Sequence, residues 1–99
     1  MPDPSDRIAI ENFTSPGRVQ NVDRAKYGAM RDALLAVLPA TEPGLTVAEA
    51  KLRLLPLLNQ ELFPGGQKAG WWLKAVQLDL EAKGTIARAQ GSPVRLRRC

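Results

Sequence analysis

The sequence predicts a mainly α-helical domain of three helices that ends in a small β-hairpin. Apolar residues recur at steps of three and four in three segments, and they alternate with polar residues near the C-terminus. The chain has 99 residues, of which 44% are hydrophobic and 24% are charged. This is enough for one hydrophobic core but not for two. We therefore assign residues 23–99 to one domain and residues 1–22 to an N-terminal arm.

The first two helices are predicted from their N-terminal caps and their apolar stripes. Helix 1 begins at Asp23, whose carboxylate can accept a hydrogen bond from a first-turn amide, and it ends before Pro39. Helix 2 begins at Thr46, because Thr46 and Glu49 have the spacing of a capping box, and Pro56 ends or kinks it. The stripes consist of Tyr27, Met30, Leu34, Val37 and Leu38 in helix 1, and of Val47, Ala50, Leu54, Leu57 and Leu58 in helix 2.

Helix 3 is predicted over residues 68–83, after a Phe-Pro-Gly-Gly turn at residues 63–66 and before Gly84. At about 100° per residue, this helix has two separate apolar faces. The first face consists of Ala69, Trp72, Leu73, Val76 and Leu80, and the second consists of Trp71, Ala75, Leu78 and Ala82. Two apolar faces need two packing partners, so another part of the molecule is expected to cover the second face.

The C-terminal hairpin is predicted from two strand-like segments, residues 85–89 and 94–98, with a turn at residues 90–93 between them. Successive side chains of a strand point to opposite faces of a sheet. The alternation in the second strand therefore places Arg95 and Arg97 on one outer, cationic face.

The N-terminal arm begins with residues 1–7, which are expected to be disordered because they are rich in proline and aspartate. Ile8, Ile10 and Phe13 follow and need burial, so the arm is predicted to add a strand or to pack on helix 3. The second face of helix 3 offers an interaction face of Trp71, Ala75 and Leu78. Packing by the arm is the preferred interpretation of this face, and the alternatives are a dimer contact or stacking on a base.

Three passages resemble two known families. The passage Leu80–Arg88 (Leu-Glu-Ala-Lys-Gly-Thr-Ile-Ala-Arg) is similar to the pattern between the third helix and the hairpin of winged-helix transcription factors. The passages Phe63–Trp72 (Phe-Pro-Gly-Gly-Gln-Lys-Ala-Gly-Trp-Trp) and Val76–Glu81 (Val-Gln-Leu-Asp-Leu-Glu) look like a family of small bacterial proteins of unknown function. The first resemblance implies a winged helix-turn-helix fold over residues 24–98 and DNA binding. The second implies no activity.

The charge distribution favours a nucleic-acid partner. Residues 83–99 carry a net charge of +5, whereas residues 1–82 carry −1. We expect backbone contacts with nucleic acid such as duplex DNA, because the early positions of helix 3 offer few side chains that read bases. The candidate contacts are Lys68, Lys74, Arg88, Arg95, Arg97 and Arg98. As alternatives, the arginines form a solvated strand edge, or the protein is an interaction module or homodimer that uses Trp71, Ala75 and Leu78.

Catalysis and metal binding are not expected. The chain has no histidine and a single cysteine, Cys99, so it lacks a Cys/His ligand set. Asp79 and Glu81 lie two positions apart on a helix and point in different directions, so they cannot act as a carboxylate pair. We expect no enzymatic activity and no cofactor. The N-terminus lacks the pattern of a signal peptide, and no apolar run reaches ~20 residues, so a cytoplasmic protein without membrane contact is expected.

Overall fold

A computed structural model of the chain describes residues 6–99 and contains, within that range, three α-helices and two small antiparallel sheets. In chain order the elements are β1 (Arg7–Ile10), β2 (Gln20–Asp23), α1 (Arg24–Val37), β3 (Leu45–Thr46), α2 (Val47–Leu54), α3 (Ala69–Ala82), β4 (Ile86–Arg88) and β5 (Arg95–Arg98). The predicted helices and C-terminal hairpin are confirmed. Of the segment expected to be disordered, residues 1–5 lie outside the described range, and β1 begins at Arg7.

Capping contacts confirm the predicted starts of the first two helices. The Asp23 carboxylate accepts a 3.0 Å hydrogen bond from the backbone N–H of Lys26. Thr46 and Glu49 form a complete capping box, in which each side chain accepts a hydrogen bond from the backbone N–H of the other, at 3.1 and 3.0 Å. The hydrogen bond from the Thr46 backbone holds the pKa of Glu49 below its usual value. α2 ends two residues before Pro56 and passes into a 3₁₀ turn, because proline has no backbone N–H with which to continue the hydrogen bonds of the α-helix.

The C-terminal hairpin is part of a three-stranded sheet with the strand order β3-β5-β4. The strand β3, which has two residues and whose Leu45 pairs with Leu96, was not predicted from the sequence. Gly44 leads into β3 with a φ of +81°, and a Cβ atom added to it would lie 2.2 Å from the backbone oxygen of Leu96. Glycine at this position therefore permits both the backbone conformation and the close approach of β3 to β5.

The N-terminal arm forms an antiparallel hairpin of β1 and β2, in which Ile8 pairs with Val22 and Ile10 with Gln20. The arm therefore adds two strands, whereas the sequence predicted at most one. Ile10 and Val22 are both 4% exposed and belong to the main hydrophobic core. This burial makes the arm an integral part of the fold.

The core lies between the helices, and both sheets contribute side chains to it. Its largest fully buried apolar side chains are Phe63, Met30, Leu34, Leu38, Leu54, Leu73, Ile86, Leu96 and Val76. Trp72 is buried, as predicted, and meets Phe63 edge-on with ring centroids 6.4 Å apart. Within residues 6–99, no helix has the length and the apolar composition needed to cross a lipid bilayer.

Candidate functional site

Helix α3 is buried along its first predicted face, but on its second face it is fully buried only at Leu78, and Ala82 at the C-terminal end is exposed. Leu78, on the second face, is only 7% exposed, and its backbone oxygen accepts a 3.2 Å hydrogen bond from the N–H of Phe13 in the arm. Ala75 is half-buried, whereas Trp71, one turn nearer the N-terminus, is 51% exposed. The arm therefore covers one end of the interaction face and leaves the indole of Trp71 accessible.

Asp79 connects the arm, α1 and α3 inside the protein. Its carboxylate is fully buried and accepts hydrogen bonds from the hydroxyl of Tyr27, from the backbone N–H of Glu11 at 2.8 Å and from Nζ of Lys83 at 2.9 Å. A buried charge needs such partners, because its loss of hydration costs several kcal/mol. Asp79 thus serves to lock the arm onto α1 and α3.

The hydroxyl of Tyr27 makes the stability of the fold sensitive to alkaline pH. Burial, followed by the hydrogen bond to Asp79, raises the pKa of Tyr27 well above the usual tyrosine value of 10.0. The folded chain therefore keeps a proton that the unfolded chain releases above pH 10, so the stabilisation is complete below pH 10 and decreases as the pH rises. We expect the free energy of unfolding to fall above pH 10 by about 1.4 kcal/mol per pH unit more than in Tyr27→Phe.

Urea unfolding of both proteins between about pH 9 and pH 11.5 measures this difference. Tyr27→Phe is the matched control, because it keeps the ring and the Lys83–Asp79 ion pair and removes only the titrating hydroxyl. Equal pH slopes for the two proteins would contradict the prediction. Tyr27 is the sole tyrosine of the chain, so the absorbance of its phenolate can be followed in the same samples.

Glu81 has its own set of partners, separate from those of Asp79. Its buried carboxylate accepts a 2.8 Å hydrogen bond from Nε2 of Gln77 and two hydrogen bonds from the Arg88 guanidinium, at 2.5 and 3.0 Å. This pairing with Glu81 raises the pKa of Arg88 above its usual value. The guanidinium also lies over the ring of Phe13, 5.0 Å from its centroid. Arg88, a predicted phosphate contact, therefore connects β4 to α3 and to the arm.

The other predicted arginines of the hairpin also have acceptors within the protein. Nη1 of Arg95 lies 3.5 Å from the Glu49 carboxylate, and Nε of Arg97 lies 3.9 Å from the Glu42 carboxylate. Nε of Arg98 donates a 2.8 Å hydrogen bond to the backbone oxygen of Leu38. The hairpin is cationic as predicted, but these local acceptors compete with any phosphate for the same guanidinium groups.

A different set of cations lies around the exposed indole and the neighbouring start of α3, and we call it, together with Trp71, the Trp71 face. It includes the predicted Lys68 and Lys74, and it also includes Arg18, Lys26 and Lys51, which the sequence analysis missed. Lys26 and Lys68 line one surface hollow beside Trp71, and Arg18 and Lys74 line another. Nζ of Lys51 lies 3.4 Å from the position of a Cβ atom added to Gly70. None of these five cations has an ion-pair partner within 4.0 Å among residues 6–99.

A groove with a cavity volume of about 260 Å³ lies between the arm and α3, next to Trp71. We call it the arm groove. Its apolar lining is formed by Ile10, Trp71, Ala75 and Leu78, and its charged lining by Arg18, Lys74 and Glu11. The amides of Asn12 and Gln20 also border it. The groove could not be foreseen from helical periodicity, because one of its walls comes from the arm.

Comparison with known proteins gives a family but no functional relative. There is no significant match among curated proteins or among solved structures. A family described as a family of unknown function, DUF6958, matches residues 7–96. The match extends from β1 to the middle of β5 and so includes the arm, the Trp71 face and the buried carboxylates. It agrees with the expected membership in a family of unknown function. Because the match covers nearly the whole sequence, the chain belongs to the DUF6958 family of unknown function.

Proposed function

We propose that this protein is a winged-helix-like module that binds nucleic acid through the Trp71 face. The observation that carries the proposal is a half-exposed indole with four cations in the hollows beside it and a fifth, Lys51, next to Gly70, none of which forms an ion pair within residues 6–99. Cations free of carboxylate partners can neutralise phosphates and release the counterions of the backbone. An exposed aromatic side chain adds a surface on which a base can stack.

The start of α3 adds a second attractive feature for phosphates. Lys68 precedes the helix in a left-handed conformation with a φ of 60°, and its side chain makes no capping hydrogen bond. The backbone N–H groups of the first helical turn, next to the exposed Gly70, add a partial positive charge to the charges of Lys51 and Lys68. Phosphate contacts of this kind carry little sequence information, so the expected binding is dominated by the nucleic-acid backbone.

The order of the elements supports the winged-helix part of the proposal. The β4–β5 hairpin follows α3, and β5 also pairs with β3, the strand that precedes α2. This pairing anchors the hairpin beside the helices as a wing. Because the arm covers α3 around Leu78, the helix is not free along its whole length to enter a major groove. Backbone contacts from the helix start are therefore favoured over base readout by α3.

Measured binding to labelled oligonucleotides of about 20 nucleotides, at several salt concentrations, tests this proposal. We expect affinity to fall steeply with salt, and Lys68→Ala/Lys74→Ala to reduce the slope of log K against log salt by about two units. Arg95→Ala/Arg97→Ala is the matched control, because these cations already face Glu49 and Glu42. It is expected to reduce the slope less. Absence of binding even at low salt would refute the proposal.

Self-association through Trp71, Ala75 and Leu78 is the second candidate function, and the exposed indole favours it. Two observations count against it. The arm covers Leu78, which leaves a smaller apolar surface for a contact between two copies of the chain. The cations around Trp71 would also repel a second copy. Sedimentation at high protein concentration and moderate salt is therefore expected to give a monomer, and a dimer disrupted by Trp71→Ala would favour this candidate instead.

A further inference from the structure

We propose further that the arm groove accepts one unstacked base, so that the preferred ligand of this protein is a single-stranded nucleic acid. This inference rests on the proposed function, because it needs the phosphate backbone to be held by the Trp71 face. It adds the class of nucleic acid and the part of the ligand that enters the protein.

The size and lining of the groove fit a single base. Its volume of about 260 Å³ is below the ~300–1,000 Å³ of pockets for drug-sized ligands. Ile10, Ala75 and Leu78 provide an apolar wall, and Trp71 provides an aromatic one. A base inside a duplex already has stacking partners above and below it, whereas a base of a single strand is free to enter such a groove.

The charges around the groove favour the anionic backbone that carries a base. Arg18 and Lys74 line the groove together with one carboxylate, that of Glu11, so the three groups have a net charge of +1. Lys68 and Lys26 continue the positive surface beyond Trp71. A strand whose base occupies the groove can therefore place its flanking phosphates against cations on both sides of the indole.

Polar groups at the rim can meet the edge of a base. The amide of Gln20 borders the groove, and no hydrogen-bond partner of its side chain is found among the described residues. Oδ1 of Asn12 already accepts hydrogen bonds from the N–H and the hydroxyl of Thr14, so its NH₂ group is the part of this amide that remains to donate to a base. Trp72 packs edge-on against Trp71, with ring centroids 5.1 Å apart, so the indole is held in place before a ligand arrives.

The test compares a labelled oligothymidylate of about 12 nucleotides with a duplex of equal length at the same salt concentration. We expect the single strand to bind more tightly and to quench tryptophan fluorescence. Trp71→Ala is expected to weaken single-strand binding by roughly 5- to 150-fold and duplex binding by no more than about twofold.

A second variant tests the groove while the indole is kept, and a control variant removes an exposed apolar side chain elsewhere on the protein. Ala75→Leu fills the groove and leaves Trp71 and all the cations in place, so it is expected to weaken single-strand binding selectively as well. Leu52→Ala removes an apolar side chain that is 73% exposed on α2 and is expected to change neither affinity. Thermal unfolding of each variant verifies that the fold is kept.

The outcomes separate this inference from the proposed function. If the single strand and the duplex bind equally and Trp71→Ala weakens both by the same factor, the base groove is refuted while nucleic-acid binding stands. If Ala75→Leu leaves single-strand binding unchanged, the groove is likewise refuted. If neither nucleic acid binds at low salt, both proposals are refuted.

Discussion

Arg88→Met is expected to lower the free energy of unfolding by about 3–5 kcal/mol, the cost of leaving one partner of a buried ion pair without the other. The Glu81 side chain is 1% exposed and receives two of its three hydrogen bonds from the Arg88 guanidinium. Methionine retains most of the apolar stem of arginine, so the loss reports the charge and not the packing. Urea unfolding at neutral pH measures the effect.

Two further variants identify the cause of that loss. In Glu81→Gln/Arg88→Met both charges are absent and Gln77 retains a hydrogen-bond partner, so we expect the double variant to regain at least about half of the stability lost in Arg88→Met. Arg97→Ala removes an arginine whose carboxylate partner, Glu42, is 74% exposed and lies 3.9 Å away, and it is expected to cost only about 0–1 kcal/mol. Equal losses for Arg88→Met and Arg97→Ala would contradict a structural role of Arg88.

Gly44→Ala is the second substitution with a large expected effect, a loss of about 2–6 kcal/mol of unfolding free energy. Two costs combine at this position. Alanine is strained at a φ of +81°, and its Cβ atom would lie 2.2 Å from the backbone oxygen of Leu96. Because this oxygen belongs to β5, relief of the clash requires β3 to separate from the strand that anchors the hairpin.

Gly17→Ala is the matched control for Gly44→Ala. Gly17 has a similar φ of +88°, but nothing lies within 4 Å of a Cβ atom added to it. Gly17→Ala is therefore expected to lower the free energy of unfolding only by the cost of backbone strain, about 1–2 kcal/mol. Urea unfolding of the two variants should give a clearly larger loss for Gly44→Ala. Equal losses would show that the approach of β3 to β5 does not constrain this glycine.

The elements predicted correctly are those whose signals are local in the chain. Asp23 and the pair Thr46 and Glu49 satisfy amides within three residues of themselves, so the helix starts can be read without knowing the fold. The short strands β2 and β3 escaped prediction for the opposite reason. Each is stabilised by hydrogen bonds to a strand that is separated from it in sequence, β1 and β5 respectively.

The cations of the candidate site likewise divide into those that could be predicted from the sequence and those that could not. Lys68 and Lys74 could be named from the sequence because they flank the start of a helix that has clear signals. Arg18, Lys26 and Lys51 could not be named, since they reach the Trp71 face from the arm, from α1 and from α2. Their convergence depends on how the elements pack, and periodicity within one element contains no information about it.

The partners of the buried carboxylates Asp79 and Glu81 could be predicted from the sequence only in part. Asp79 and Glu81 do point in different directions, as expected, and each finds its own partners. The spacing of Lys83 four residues after Asp79 is a local signal, but the contacts of Asp79 with Tyr27 and Glu11 join residues 52 and 68 positions apart. Only the tertiary structure decided that these two acids would be enclosed.

By itself, the sequence determined the helices, the C-terminal hairpin and the two apolar faces of α3, because period and capping act over a few residues. The tertiary structure alone decided which cations remain available to a ligand. It placed the arginines of the hairpin next to acceptors of the same chain and grouped around Trp71 cations that form no ion pair within residues 6–99. Ion pairing depends on distances of a few ångströms between elements, and these distances exist only once the chain has folded.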